Sequence, residues 1–200
     1  MKKYIYFILL SFASVACKAQ SPIYNISEPH RGKTPGSYFK DLNGNLDGYD
    51  GTYLYTNGTT SLKIVLKKKI KSYRYYYEDL VVGEFQYIKN GVELNNTLAN
   101  INVNYTDESV NHIITGHLIL TGTMWGCPDC SPTEKRLRLS FVDKKAHRII
   151  GLDIRRTTVN GVAAIKVLIF DEGSTIILKA GDPRSPAPSL EYGDYLLIKQ

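Results

Sequence analysis

The chain is poor in groups that do chemistry: its 200 residues hold four histidines, three cysteines and one tryptophan. It has no Gly-x-Ser-x-Gly elbow, no P-loop and no histidine pair at metal-ligand spacing, so the usual signatures of serine hydrolases, phosphate-binding loops and zinc peptidases are missing. His112 and His117 are five apart, which on a strand turns them to opposite faces and keeps them from sharing a metal. Catalytic residue, metal site and cofactor are all expected to be none. Charge of one sign is lacking too. The formal net charge of +6 falls to +4 once Lys2 and Lys3 leave with residues 1–17, an ordinary surface with no nucleic-acid footprint.

Apolar runs long enough to span a bilayer are also absent, and the longest one explains itself. Met1-Lys2-Lys3 followed by Tyr4 to Ala16 has the basic start, short apolar stretch and small-residue end of a secretory signal. Two cleavage sites compete. Ser14-Val15-Ala16-Cys17 resembles a bacterial lipobox, with Ser14 where leucine is usual, and makes Cys17 the lipidated first residue of the mature chain. Alternatively Cys17-Lys18-Ala19 is a small-residue site and the mature chain begins at Gln20. Either way the protein is expected in the cell envelope, lipid-anchored or periplasmic, or else secreted. Membrane contact comes only through that anchor or signal.

What the chain does have is β-pattern. Residues 18–50 read as an extended leader, rich in proline, glycine and Asx. Its segment Asp41 to Gly51 resembles a calcium loop, but no register puts an acid at the twelfth position, and turn chemistry accounts for these residues without a metal. Residues 51–200 then read as one domain of successive antiparallel hairpins. Asn57-Gly58, Asn90-Gly91 and Asn160-Gly161 are favoured two-residue turns, since both central positions need φ > 0. The first turn predicts Thr56 opposite Thr59 and Tyr53 opposite Leu62. The second sets Tyr87 opposite Leu94 and Phe85 opposite Asn96. The third sets Ile154 opposite Val167 and Arg155 opposite Lys166, a like-charge pair that calls for a nearby acid or anion. A strand from Arg136 to Val142 fits beside it, with Leu139 opposite Leu152 and Arg138 opposite Asp153. His112 to Thr123 is a further strand, with Ile114, Gly116, Leu118 and Leu120 on one face. Gly83 inside a strand marks a bend or bulge.

Two segments stand out. Lys67, Lys69 and Lys71 lead to a tyrosine run that includes Tyr75. This ribbon reads as a protruding strand with a lysine-guarded edge, or as a contact surface for acidic glycans or headgroups. The loop around Trp125 holds Cys127 and Cys130, the two thiols left once Cys17 is lipidated or removed. In an oxidising compartment they are expected to form a loop-bracing disulfide. A redox role is the alternative, while zinc lacks a second pair of ligands.

Cys17-Lys18-Ala19-Gln20, Tyr38-Phe39-Lys40-Asp41-Leu42, Gly51-Thr52-Tyr53, Gly83-Glu84-Phe85, Cys127-x-x-Cys130 and the closing Tyr192-Gly193-Asp194-Tyr195-Leu196-Leu197-Ile198-Lys199-Gln200 together resemble an uncharacterised family of flavobacterial envelope proteins, domain of unknown function family 6705. That resemblance spans nearly the whole chain and implies no activity. Gly51-Thr52-Tyr53 also resembles the Gly-x-Trp opening of lipocalins, with Tyr for Trp. The expected fold is accordingly all-β: a meander of about 8–10 strands closing into a lipocalin-like barrel, with a β-sandwich as the alternative.

Three functions follow from this reading. The first is a noncatalytic binding module for a small apolar or amphipathic ligand, with Tyr53, Tyr55, Phe85 and Tyr87 facing the interior. The second is an envelope interaction or structural protein that meets a glycan or protein through Lys67, Lys69, Lys71 and Tyr75 or through Trp125. The third is a thiol-redox protein built on Cys127 and Cys130.

Overall fold

The computed structural model describes residues 21–175 and 187–200. The expected signal segment with Cys17 lies outside them, as do residues 176–186. Among the described residues eleven strands occur: β1 (Ile23–Asn25), β2 (Tyr38–Lys40), β3 (Gly51–Asn57), β4 (Thr60–Tyr73), β5 (Tyr77–Lys89), β6 (Val92–Asn96), β7 (Ile114–Thr121), β8 (Lys135–Asp143), β9 (Arg148–Val159), β10 (Val162–Thr175) and β11 (Gly193–Lys199). Eight of them close on themselves in the order β5-β4-β3-β11-β10-β9-β8-β7, with β7 pairing back to β5. The result is an antiparallel barrel with extra strands at its side. Closure hides the unpaired edges that an open meander would present.

Alternation decides what faces inward. Leu62, Ile64, Leu66, Phe85, Leu139, Phe141, Leu152, Ile154, Val167 and Leu197 belong to one buried cluster, each contributing about 1.5–3 kcal/mol by leaving water. The β8–β9–β10 registers are those the sequence predicts: Leu139 faces Leu152, Arg138 faces Asp153, Ile154 faces Val167 and Lys166 faces Arg155. Asn90-Gly91 and Asn160-Gly161 both sit at positive φ, as a type I′ turn requires.

Elsewhere the long-range fold overrides the local reading. In the first hairpin the pairs are Asn57 with Thr60, Tyr55 with Leu62 and Tyr53 with Ile64, two positions from the expected register. Gly58, at φ +57°, takes the first turn position in place of the second. A two-residue shift preserves the face of every side chain, so Tyr53 still points inward. In the second hairpin Lys89 pairs with Val92 as expected, but a bulge then sets Tyr87 opposite Asn95. Leu94 is consequently exposed, and β6 lies off the barrel path. The reason is competition for one edge: at Val81 to Gly83, β5 pairs with β7. In β7 the register shifts between Thr115 and Leu118; past that bulge Leu118 faces Arg138 and is exposed, while Ile119 packs on the core.

The leader is built into this body. β1 and β2 pair in parallel, and β2 continues in parallel onto β5. Phe39, Leu46 and Tyr49 are fully or almost fully buried. Asp41 accepts hydrogen bonds from the Asn45 and Leu46 amides, at 2.9 and 2.8 Å, and from Lys68, so turn chemistry and an ion pair occupy the carboxylate of the calcium-like loop.

Candidate functional site

The four interior candidates meet different surroundings. Tyr53, Phe85 and Tyr87 are buried in the packed cluster, and Tyr55 packs against it. Phe85 sets its ring edge-on to Phe141 at 5.0 Å, and Tyr55 does the same to Tyr195 at 5.1 Å. The Tyr53 hydroxyl donates to the Tyr49 carbonyl at 3.1 Å, and the Tyr87 hydroxyl to Glu191 at 2.8 Å. These rings are thus committed to one another and to the wall. A groove of about 580 Å³ reaches Tyr87 from outside, beside Arg148 and Tyr192.

Beyond Leu66, where its pairing with β3 ends, β4 pairs with β5 alone, and this stretch carries the lysine ribbon. Its lysines bind two covering segments. Lys67 donates to Asn102 at 2.6 Å, Lys69 to Asn104 and Glu108 at 2.9 Å each, and Lys68 pairs with Asp41 and Asp47. Lys71, at φ +57°, lies 5.2 Å from the Tyr77 ring. Tyr75 remains exposed.

Behind those lysines, the segment from residue 98 to 112 covers the outer face of β4 and β5 through Ile101, Leu80 and Val82. His112 is buried there with one ring nitrogen 2.9 Å from Glu84 and the other 3.0 Å from Glu108. His117 belongs to a different cluster. Its Nδ1 lies 3.2 Å from Glu78, and the His30 ring stacks at 6.1 Å. Burial, with His30 adding like-charge repulsion, pushes the His117 imidazole down to about 4. The depressed value means the folded chain binds fewer protons than the unfolded one between about 4 and 6.5. This histidine therefore lends stability above that window and withdraws it as pH falls. Glu78, whose carboxyl burial pushes upward, acts with the opposite sign. The His117 ring resonance, followed by NMR, is expected to titrate with a midpoint near pH 4; a midpoint above 6 overturns the assignment.

The most developed surface lies outside the wall, beneath the disulfide loop. Cys127 and Cys130 are bonded, with their Cα atoms 5.4 Å apart, and both are buried. The loop is fastened to β8 and β9. Asp153 accepts from Arg136 at 2.7 Å and from Arg138 at 2.5 and 2.7 Å. Arg136 also donates to the Met124 carbonyl, and the Arg138 guanidinium lies 4.5 Å from the exposed Trp125 ring. Arg155 donates to Glu134 at 2.6 Å and to Asp129 at 2.8 Å. Those carboxylates are held below the usual range chiefly by the Arg155 hydrogen bonds. The like-charge contact of Arg155 with Lys166 is answered by acids from the loop, a partner the sequence only called for.

Between loop and sheet runs a groove of about 460 Å³. Its walls include Asp129, Arg155, Lys166 and Asp194, and its floor carries Leu168 and Leu196, which are 39% and 40% exposed. Lys166 has no ion pair among the described residues. Sequence reasoning missed this groove because its sides come from a loop and four strands, β8 to β11, joined only when β11 docks on β10.

A closed antiparallel eight-stranded barrel with a packed wall and an external loop-covered groove defines the class: a β-barrel scaffold of the lipocalin-like kind. Within that class the chain belongs to the family of unknown function DUF6705, whose model matches residues 1–200. No curated protein and no solved structure matches the chain. No described helix is long and apolar enough to cross a membrane.

Proposed function

We propose that the protein is a noncatalytic binding module of the cell envelope, and that it holds a small amphipathic anion in the groove beneath the Cys127–Cys130 loop. The observation that carries this reading is the pairing of Lys166 with exposed Leu168 and Leu196 in one groove of about 460 Å³, a size within the usual range for small-molecule sites of about 300–1,000 Å³. Lys166 supplies the cation for an acidic head group, and the two leucines supply the surface for an apolar body. The interior reading of the ligand draws no comparable support, since Tyr53, Phe85 and Tyr87 pack on their neighbours. The disulfide fits an exported protein, because oxidising compartments preserve such bonds; Cys17 then serves as anchor or is discarded with the signal.

The anionic dye 1-anilinonaphthalene-8-sulfonate tests the groove. Native protein is expected to bind it at one site, and Lys166→Glu to weaken binding by about tenfold, or ~1.4 kcal/mol. Leu168→Glu is expected to do the same. Dye binding that ignores both changes overturns the reading. Native mass spectrometry of protein purified from its own host then identifies any copurified anion.

A second reading rests on Trp125, which is 60% exposed at the rim of the same loop. An aromatic ring stacked on Arg138 suits a glycan or protein contact. A thiol-redox role draws less support, since Cys127 and Cys130 are both buried and reactive thiols need access.

A further inference from the structure

We infer that His30, Glu78 and His117 form a binding site for a divalent transition-metal ion. The three come from separate parts of the chain: the loop between β1 and β2, the start of β5, and the bulge of β7. One donor atom from each lies within 4.8 Å of the other two. Ligands at about 2.0–2.2 Å from a tetrahedral ion stand roughly 3.3 Å apart, so modest side-chain movements bring the set to bonding distance.

The donor chemistry selects the ion. Two imidazoles and one carboxylate are a familiar ligand set for zinc with an open fourth position, and for non-haem iron. Calcium and magnesium prefer all-oxygen cages. Beside the cluster runs a groove of about 320 Å³ that includes His30, His117, Glu28 and Asn45, so a solvent ligand has room.

Packing positions the donors before any ion arrives. The His30 ring lies 4.0 Å from Phe39 and 5.1 Å from Tyr76, and Phe39 is fully buried. An apolar side chain in place of His30 would serve that packing as well, whereas only a donor serves a metal. His117 sits where the β7 bulge redirects the strand, with its Nδ1 3.2 Å from Glu78. Its side chain is 28% exposed and that of Glu78 is 13% exposed, so the cluster is partly shielded yet reachable. A bound ion would also tie the β1–β2 loop to the barrel wall, which gives the leader a part in the site.

The test uses purified protein and Zn²⁺ alone, titrated against a chromophoric chelator. Native protein is expected to take up one equivalent. His30→Ala and His117→Ala are each expected to weaken binding by more than about 100-fold, beyond the roughly 10–100-fold typical of losing an outer-shell partner. His147→Asn, a change at a turn residue with φ +53°, is expected to leave affinity unchanged. Native protein that takes up no Zn²⁺, or alanine variants that bind as tightly as native, overturns the proposal. Should a variant fail to fold, native protein decides alone. Zn²⁺ must shift the ring resonances of His30 and His117 and spare those of His112 and His147; shifts confined to His112 or His147 overturn it. The site shares no residue with the groove beneath the disulfide loop, so either can fail without the other.

Discussion

Asp153→Ala is expected to destabilise the protein by about 3–5 kcal/mol, the cost of leaving buried charges without their partner. Asp153 accepts three hydrogen bonds from Arg136 and Arg138, and the side chains of Arg136 and Asp153 are only 3% and 4% exposed. Removing the carboxylate strands one fully buried guanidinium and one nearly so. Neither can swing into water without giving up its second contact, since Arg136 also holds the Met124 carbonyl and Arg138 lies against Trp125 and Phe170. For a chain of this length, such a loss lowers the melting temperature by roughly 6–20 °C. Urea unfolding measures it, with the midpoint falling and the slope unchanged. Trp125, the only tryptophan, gives a second readout, because its fluorescence should change as Arg138 loses its anchor. A loss below about 1 kcal/mol, the worth of a surface pair, would show that this cluster is solvated.

Phe85→Ala should be comparably damaging, at about 3–5 kcal/mol. Phe85 is fully buried and faces Ile64 across the strand pair, with Phe141 edge-on at 5.0 Å. Truncation removes a ring's worth of apolar burial and leaves a hole that a closed barrel cannot collapse around, because its strands are hydrogen-bonded on both sides. Phe85→Leu should cost less, since it retains most of the volume. Thermal and urea unfolding of the two variants check the order. The outcome bears on function as well: an interior shaped to hold a ligand would already tolerate empty space at this position, so a near-neutral Phe85→Ala would move the binding site back inside the barrel.

The first prediction concerns a pairing visible in the sequence; the contacts of Phe85 with Ile64 and Phe141 were not. Arg138 opposite Asp153, and Leu139 opposite Leu152, follow from strand alternation and a short connection, because pairing partners a few residues across a turn are fixed by local geometry. The four-residue loop from Lys144 to His147 keeps that register. Even the first hairpin, whose turn starts one residue later than expected, keeps its faces. The same locality explains the failures. Leu94 fits the inward pattern of the second hairpin, yet a bulge in the β5–β6 pairing turns it outward. Leu118 fits the pattern of its strand, yet a bulge reverses it.

The candidate sites sort in the same way. The Cys127–Cys130 bond spans three residues and follows from the cysteine count and their spacing. The partners of Lys67 and Lys69 lie 35 or more residues away, so no pattern near them reveals that they fasten a covering segment. His30, Glu78 and His117 are likewise far apart along the chain. Sequence spacing correctly separates His112 from His117 and says nothing about His30.

By itself, then, the sequence determined the all-β class, most strand faces and the tight turns, because a period of two and the φ preferences of Asn and Gly act between residues that are neighbours before folding. Only the tertiary structure decided which strands share an edge, how the leader packs, and which distant side chains meet in the outer groove and around His117. Those outcomes depend on barrel closure, which brings together residues whose separation in sequence carries no information about their distance in space.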